Sequence, residues 1–414
     1  MNRRQYTALL HLLRPLLPLR LWWRGRRQPG YREHWRERFG RYEGAPNTAP
    51  LVWIHAVSVG ETRAAEPLVR ALLARHPERR VLLTHMTPTG RATGEQLFGE
   101  RVLRAYLPYD YPGAVARFLD HFRPTCGLLM ETEIWPNLIA AARERAIPVH
   151  LVNARLSARS HRRYARHREL AREALQGLAG VAAQTAADVA RLADLGAPAP
   201  QVVGNLKFDI APPSELVARG ASWRVAFGRR HVLLAASTRP GEEAIVLEAC
   251  APLVSEDVLL IIVPRHPERC EDVAALARTR GLAEQRRSAG VELAAGTRVL
   301  IGDTLGEMFA YYAAADAVIM GGSLLDYGSQ NLIEPCALGK PVLLGPSRYN
   351  FAEAAALALE AGAALSVTDA ASITAALRRV MEDAGLAQRM SAAAQAFAGA
   401  HQGATQRLLE LIDG

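Results

Sequence analysis

The chain has 414 residues, a formal charge of +9, and a composition that is 50% hydrophobic and 6% aromatic. That length exceeds one ordinary core and suits two domains of roughly 150 to 200 residues, and the composition is that of a soluble α/β protein. The four cysteines (Cys126, Cys250, Cys270, Cys336) are far apart with no CxxC pair, and Asp never recurs at i, i+2, which argues against a structural zinc site and a DxD metal clamp and for a reducing compartment.

The charge is concentrated at the N-terminus. Residues 1–41 hold eleven arginines against Glu33 and Glu37, a net +9 that accounts for the whole formal charge and leaves the rest neutral. A neutral body with one basic end argues against a nucleic-acid partner, which needs a broad basic footprint. Tyr6 to Trp23 is leucine-rich and ends in Trp22-Trp23. An apolar stretch flanked by arginines and tryptophans predicts a segment, residues 1–45, that lies on an anionic membrane surface. Arg14, Pro15, Pro18 and Arg20 interrupt it too often for a spanning helix, and no small-residue cleavage site follows to make it a signal peptide.

A Pro/Gly/Asn stretch, Gly44 to Pro50, marks a boundary, after which short apolar runs alternate with helical patterns, the signature of parallel sheets. Strands are predicted over 51–56, 80–84, 102–106, 126–130, 149–153, 180–183 and 201–203, then 232–236, 258–263, 298–301, 317–320 and 341–344. The helices between them in the first half fall over 61–75, 90–98, 113–122, 136–145, 161–178 and 186–195. From Phe351 onward the chain reads as almost wholly helical. Ala211-Pro212-Pro213 is the linker, which divides the chain into domains over 46–210 and 211–414. Two doubly wound, Rossmann-like domains facing across a ligand cleft at the strand C-termini are the expected architecture.

Several strand ends carry chemistry. LVWIHAV runs into SVGET, which puts Glu61 in the first turn of a helix, either as a cleft carboxylate or as half of a Ser58/Glu61 capping box. Another strand ends in Glu131-Thr132-Glu133-Ile134-Trp135, another in Asn153-Ala154-Arg155-Leu156-Ser157, and a further one in Gly204-Asn205-Leu206-Lys207. Glu, Glu, Arg/Ser and Lys on neighbouring strand ends make a polar pocket that packing alone explains poorly. The chain has only two lysines, Lys207 and Lys340, among fifty basic residues; Lys340 reads as a turn residue, and Lys207 is the more informative survivor.

In the second half, Ser237, Thr238 and Arg239 follow a strand and open a helix, as phosphate-facing candidates. Pro264, Arg265 and His266 end the next strand, and Gly306-Glu307-Met308 stand at a helix start. Residues 316–346 read as strand, Gly321-Gly322-Ser323 turn, helix opening near Asn331 with Glu334 in its first turn, then strand. That order is a phosphate cradle beside an acid able to accept from ribose hydroxyls, or an ordinary βαβ unit with a tight turn.

The ordered set PGYREHWRERFG, HAVSVGE, ETEIWPN, NARLSARS, GNLKFD, VPRHPER, GDTLGEM and GGSL…QNLIEP…GKPVLLGP…NF resembles, over nearly the full length, the bacterial transferases of 3-deoxy-D-manno-octulosonic acid (Kdo). The resemblance implies a GT-B fold and CMP-Kdo as donor. It further implies inverting, metal-independent transfer, with no cofactor, to the lipid A precursor lipid IVA, in lipopolysaccharide core synthesis on the cytoplasmic face of the inner membrane. By position it makes Glu61 the general base, gives Glu131 and Lys207 roles in supporting the transition state, and places CMP against Pro264, Arg265, Gly306, Glu307, Met308, Asn331, Leu332, Ile333 and Glu334, with Glu334 on the ribose. Two positions depart from the family pattern: Ser329 stands where a glycine is usual, and Ser347 where histidine is common. The competing readings are a UDP-sugar lipid glycosyltransferase, a nucleotide-sugar epimerase and a membrane-recruited nucleotide-binding protein without catalysis.

Overall fold

Strands that read as unbroken apolar runs have both faces covered, and the central strands of both sheets of this protein are such runs. In the computed structural model, which describes residues 1–255, 257–294 and 296–413, the chain forms two units: Met1–Asp209 with the stretch from Gln402 onward, and Ile210–His401. The first unit holds β1 (Leu51–His55), β2 (Arg80–His85), β3 (Leu103–Tyr106), β4 (Cys126–Met130), β5 (Val149–Ala154), β6 (Gly180–Ala183) and β7 (Gln201–Val202), in the order β3-β2-β1-β4-β5-β6-β7. The second holds β8 (His231–Thr238), β9 (Val258–Pro264), β10 (Glu284–Arg286), β11 (Val299–Ile301), β12 (Ala317–Met320), β13 (Val342–Leu344) and β14 (Ala364–Ser366), in the order β10-β11-β9-β8-β12-β13-β14. All pairings within the two sheets are parallel.

Both sheets are doubly wound, as expected. The strand order reverses beside β1, which pairs with β2 on one side and β4 on the other, and beside β8, between β9 and β12. Ligands of such sheets sit outside the strand C-termini at these reversal points. Close packing makes the positions specific. Trp53 of β1 is fully buried, sits edge-on to Phe118 at 5.0 Å and donates its indole N–H to Thr84 Oγ1 at 2.7 Å. A Cβ on Gly127 of β4 would lie 2.7 Å from the Trp53 ring, so only glycine lets β4 lie beside it.

The basic N-terminal segment forms two helices, Arg3–Leu13 and Leu16–Arg27, broken at Arg14-Pro15. The first docks on its unit through Thr7 Oγ1 donating to Asn137 Oδ1 (3.0 Å), Tyr111 donating to the Leu10 carbonyl (2.8 Å), and Tyr6 bonding the buried carboxyl of Asp110. Burial pushes the Asp110 carboxyl up to about 6, against the two backbone N–H bonds from Asn137 and Leu138 that hold it down. Leu9, Leu12, Leu13, Leu16, Leu19, Trp22 and Trp23 are left exposed along the pair. No helix of the described residues is long and apolar enough to cross a membrane.

Four expectations need correction. The helices predicted over 61–75 and 161–178 are each two shorter helices, Val59–Ala64 with Glu66–Arg75 and Ala158–Ala165 with Arg168–Leu175. Two edge strands, β10 and β14, have no counterpart in the sequence reading, and β14 interrupts the stretch expected to be helical. The helix after the Gly321 turn opens at Ile333, two residues later than Asn331. The domain expected over 211–414 ends early, because the helix Ala404–Asp413 belongs to the first unit. There the Asp209 carboxylate accepts the Gly403 N–H (2.6 Å) and the Thr405 N–H, and Leu408 and Leu409 join a core cluster with Val203 and Leu206.

Candidate functional site

In the first unit, the chain leaves β1 through Ala56, Val57 and Ser58 and enters the helix Val59–Ala64. A capping box would have the Ser58 hydroxyl accept from the helix. Instead it donates to Glu61 Oε1 (3.1 Å), while Oε2 accepts the Val57 N–H at 2.8 Å. Glu61 is therefore clamped in one orientation at the reversal point, and its local bonds are not those of a simple cap. Burial pushes its carboxyl up to about 8; the Val57 N–H works against this, and the nearby charges of Glu131 and Glu133 add to it.

Those two carboxylates arrive from β4. Glu131 has φ +57, a left-handed conformation that few non-glycine residues adopt, and its N–H still bonds the Val152 carbonyl at 3.0 Å. The kink turns the chain off the sheet, and Glu133 is then held by the Trp135 indole N–H at 2.8 Å, with burial and Glu131 both raising its pKa. The Trp135 ring meets the buried His55 edge-on at 5.9 Å. Lys207 Nζ stands 3.9 Å from Glu131 Oε1, a loose pairing.

Three amides hold the lysine turn. Asn153, at φ +50, accepts the Leu206 N–H at 3.1 Å; Gln184 bonds the Asn153 carbonyl (3.0 Å); and Asn205 bonds Gln184 (3.1 Å) and accepts the Lys207 N–H (3.0 Å). Gln184 escaped the sequence reading, though its place directly after β6 was the signal. The structure thus gathers Glu61, Glu131, Glu133 and Lys207. Ser157 is not part of this group, since its hydroxyl caps the helix Ala158–Ala165 by accepting the Ser160 N–H at 3.1 Å.

In the second unit, the Gly321-Gly322-Ser323 turn is not an open cradle. The fully buried carboxylate of Glu242 accepts from Gly322 (2.6 Å), Leu324 (2.9 Å), Leu325 (3.3 Å) and Arg239 (2.8 Å). The turn's donors are spent on an internal anion. Glycine is required at 321 by the close approach of β8, because a Cβ there would lie 2.4 Å from the Ser237 carbonyl oxygen. Thr238 is buried too and donates to Glu243 (2.8 Å), which Arg269 grips through both oxygens at 2.6 and 3.0 Å. Thr238 is therefore structural, and it does not face a phosphate. Ser237, at φ +56, points its hydroxyl at Met308 Sδ at 4.0 Å.

Of the residues expected around a nucleotide, Pro264 is buried at the end of β9 and Arg265 is exposed beyond it, its N–H bonded to the Thr238 carbonyl at 2.9 Å. Gly306 takes φ +80. The Glu307 carboxylate is occupied by Arg219 (3.0 Å), Arg287 (3.1 Å) and Thr304, so only its backbone is available to a ligand. The Leu332 and Ile333 side chains are in the core, which again leaves their backbone. Asn331 accepts the Ile333 N–H (3.1 Å) and donates to Glu334 (3.1 Å), and the Glu334 carboxylate also bonds the buried Tyr312 hydroxyl. Lys340 caps the helix Met308–Ala314, giving its ammonium to the carbonyls of Ala313 (3.0 Å) and Ala315 (2.8 Å).

The two departures from the family pattern adjoin. Ser329 sits at φ +71 and Ser347 Oγ accepts the Gly328 N–H at 2.9 Å. Ser329→Gly should stabilise the protein by about 0.5 to 1 kcal/mol in urea unfolding, since glycine relieves the left-handed strain and, among the described residues, the side-chain bond lost is the one to the Gln330 carbonyl. Unchanged or lower stability would show that this turn carries no strain. Among the described residues, no group of three or more His, Cys, Asp or Glu is arranged to hold a metal ion.

Residues 33–210 match the family model described as 3-deoxy-D-manno-octulosonic-acid transferase (kdotransferase). Over 428 residues, covering 100% of this chain and 99% of the relative, the chain is 49% identical to a 3-deoxy-D-manno-octulosonic acid transferase of Bordetella pertussis. It is 35% identical to the protein of the same name from Haemophilus influenzae, covering 98% of this chain and 97% of that one. Among solved structures, a UDP-GlcNAc 2-epimerase of Neisseria meningitidis shares the fold at 17% identity and a TM-score of 0.58, covering 88% of this chain and all of that one. A glycosyltransferase of Rickettsia africae does so at 14% identity and the same TM-score of 0.58, covering 89% and 98%.

Proposed function

The chain belongs to the 3-deoxy-D-manno-octulosonic acid transferase family, a family of GT-B glycosyltransferases, and from that premise we propose that it transfers Kdo from CMP-Kdo to the lipid A precursor lipid IVA, with inversion and without a metal ion. The observation that carries this reading is the clamped, buried Glu61 at the β1/β4 reversal point, whose raised pKa of about 8 makes it a stronger base than an ordinary carboxylate.

In this reading Glu61 takes the proton from an acceptor hydroxyl as that oxygen attacks the anomeric carbon of the donor sugar. The new C–O bond forms, the bond to the phosphate oxygen breaks, and CMP leaves with the electron pair. Lys207, tethered near Glu131, supplies the positive charge that favours the charge-separated transition state. Arg265, Pro264 and the backbone of Gly306, Glu307, Met308, Asn331, Leu332 and Ile333 hold CMP. Glu334, already oriented by Asn331 and Tyr312, accepts from the ribose hydroxyls. A mass spectrum of lipid IVA after incubation with the protein and CMP-Kdo tests this directly. A mass gain of one or more Kdo units is expected, and no gain with CMP bound would move the reading to another donor sugar or acceptor.

The exposed leucines and tryptophans of the two N-terminal helices, with their arginines, support a placement on the cytoplasmic face of the inner membrane. Replacing Leu12, Leu16 and Leu19 by serine should lower co-sedimentation with vesicles containing anionic lipid by at least about tenfold, each leucine giving up roughly 1 kcal/mol of apolar transfer. Equal binding by wild type and variant would reject this face.

A further inference from the structure

Two guanidinium groups lie close to the C-terminal ends of β8 and β9, and the structure treats them differently. Arg269 is neutralised by both oxygens of Glu243, at 2.6 and 3.0 Å. Arg239 has no acidic partner among the described residues. Its backbone is fixed, with its N–H on Glu242 at 2.8 Å. Its side chain is held by two rings: the guanidinium lies 5.0 Å from the Tyr327 ring centre, and Nη1 donates to His266 Nε2 at 2.9 Å. Tyr327 is itself fastened, its hydroxyl donating to the Pro240 carbonyl at 3.2 Å. The Arg239 Nε–H is shielded from solvent and has no acceptor. The guanidinium is thus oriented by its neighbours without being neutralised, which leaves its charge to be matched by an anion.

We propose that Arg239, oriented by His266 and Tyr327, receives the carboxylate of the acidic sugar carried by the donor. This rests on the donor reading above and goes beyond it by naming the group recognised. The sugar of CMP-Kdo is a 2-keto acid, so its carboxylate is attached to the anomeric carbon, beside the phosphate oxygen that leaves. Two adjacent anionic groups need two cations. Arg265, exposed after the neighbouring strand β9, serves the phosphate, and Arg239 after β8 serves the carboxylate. A planar carboxylate fits the guanidinium fork through two parallel bonds, a match that an ammonium cannot make. A donor whose sugar lacks a carboxylate would leave Arg239 unmatched, so this contact selects against neutral hexose donors.

The test uses the full-length protein with Arg239→Gln and Arg239→Lys, measuring CMP binding by calorimetry and the KM for CMP-Kdo. KM should rise at least about tenfold in Arg239→Gln and less in Arg239→Lys, with the CMP dissociation constant within about twofold of wild type in both. If CMP binding weakens by the same factor as KM, Arg239 holds the phosphate and the assignment is overturned. An unchanged KM overturns it as well. Failure of the wild type to bind CMP would instead bring down the donor reading, and this assignment with it.

Discussion

Glu61→Gln should lower transfer by a factor on the order of 10² to 10⁴ while CMP binds as before. Glutamine keeps the shape: its one amide oxygen can take the Val57 N–H, and its NH2 can donate to Ser58 Oγ once that hydroxyl turns to accept, so the side chain stays in place and the proton acceptor is lost. The pH dependence gives a second, independent readout. The base works only when ionised, and burial holds the Glu61 carboxyl up at about 8, so below that pH most of the free enzyme carries the proton. The rate at low substrate should therefore climb as pH rises toward 8 and level off above it. Glu133→Gln, which keeps an acceptor for Trp135 but removes one of the two charges that raise Glu61, should move this limb to lower pH. A flat acid limb in the wild type would remove Glu61 as the base, and a limb unmoved by Glu133→Gln would show that the Glu133 charge has no part in setting it.

Glu242→Ala should cost on the order of 4 kcal/mol in urea unfolding of the second unit, among the largest effects of any single substitution outside the aromatic core. The carboxylate accepts four backbone N–H groups from two separate loops, and alanine would leave all of them without an acceptor in a site closed to solvent. Glu242→Gln should cost a comparable amount, because its amide offers N–H to groups that are themselves donors. CMP affinity should fall with stability, since the turn adjoins Gln330, next to the residues proposed to hold CMP. A loss below about 1 kcal/mol would mean that water replaces the carboxylate, and that the turn is more open than it stands here.

The contrast between Glu61 and Glu242 explains what could be read from the sequence. Apolar runs of four to eight residues announce β1, β4, β8, β9 and β12; the stretches after β1, β4 and β9 point to Glu61, Glu131 and Arg265, and the stretch after the short β7 points to Lys207. Strand ends are legible because the run and its end are adjacent in the chain. Glu242 carries no such mark, because three of its four partners lie about eighty residues away and no local pattern announces them. The edge strands β10 and β14 were missed for a related reason: each has three residues and pairs on one side only, and β10 (Glu-Gln-Arg) carries no apolar signal. The final helix was misassigned because an amphipathic helix suits either core, and the groups that place it, the Asp209 carboxylate and the cluster around Val203 and Leu206, lie some two hundred residues upstream.

The return of the helix Ala404–Asp413 to the first unit makes that unit discontinuous along the chain, with the second inserted into it. During synthesis the order of completion is then inverted. Every residue of the second unit is made before Leu408 and Leu409, which fill the cluster around Val203 and Leu206 in the first. The half made first is thus the half finished last. A chain cut just after His401 would hold every residue of the second unit and leave the first unsealed, the half whose N-terminal helices display the exposed leucines and tryptophans.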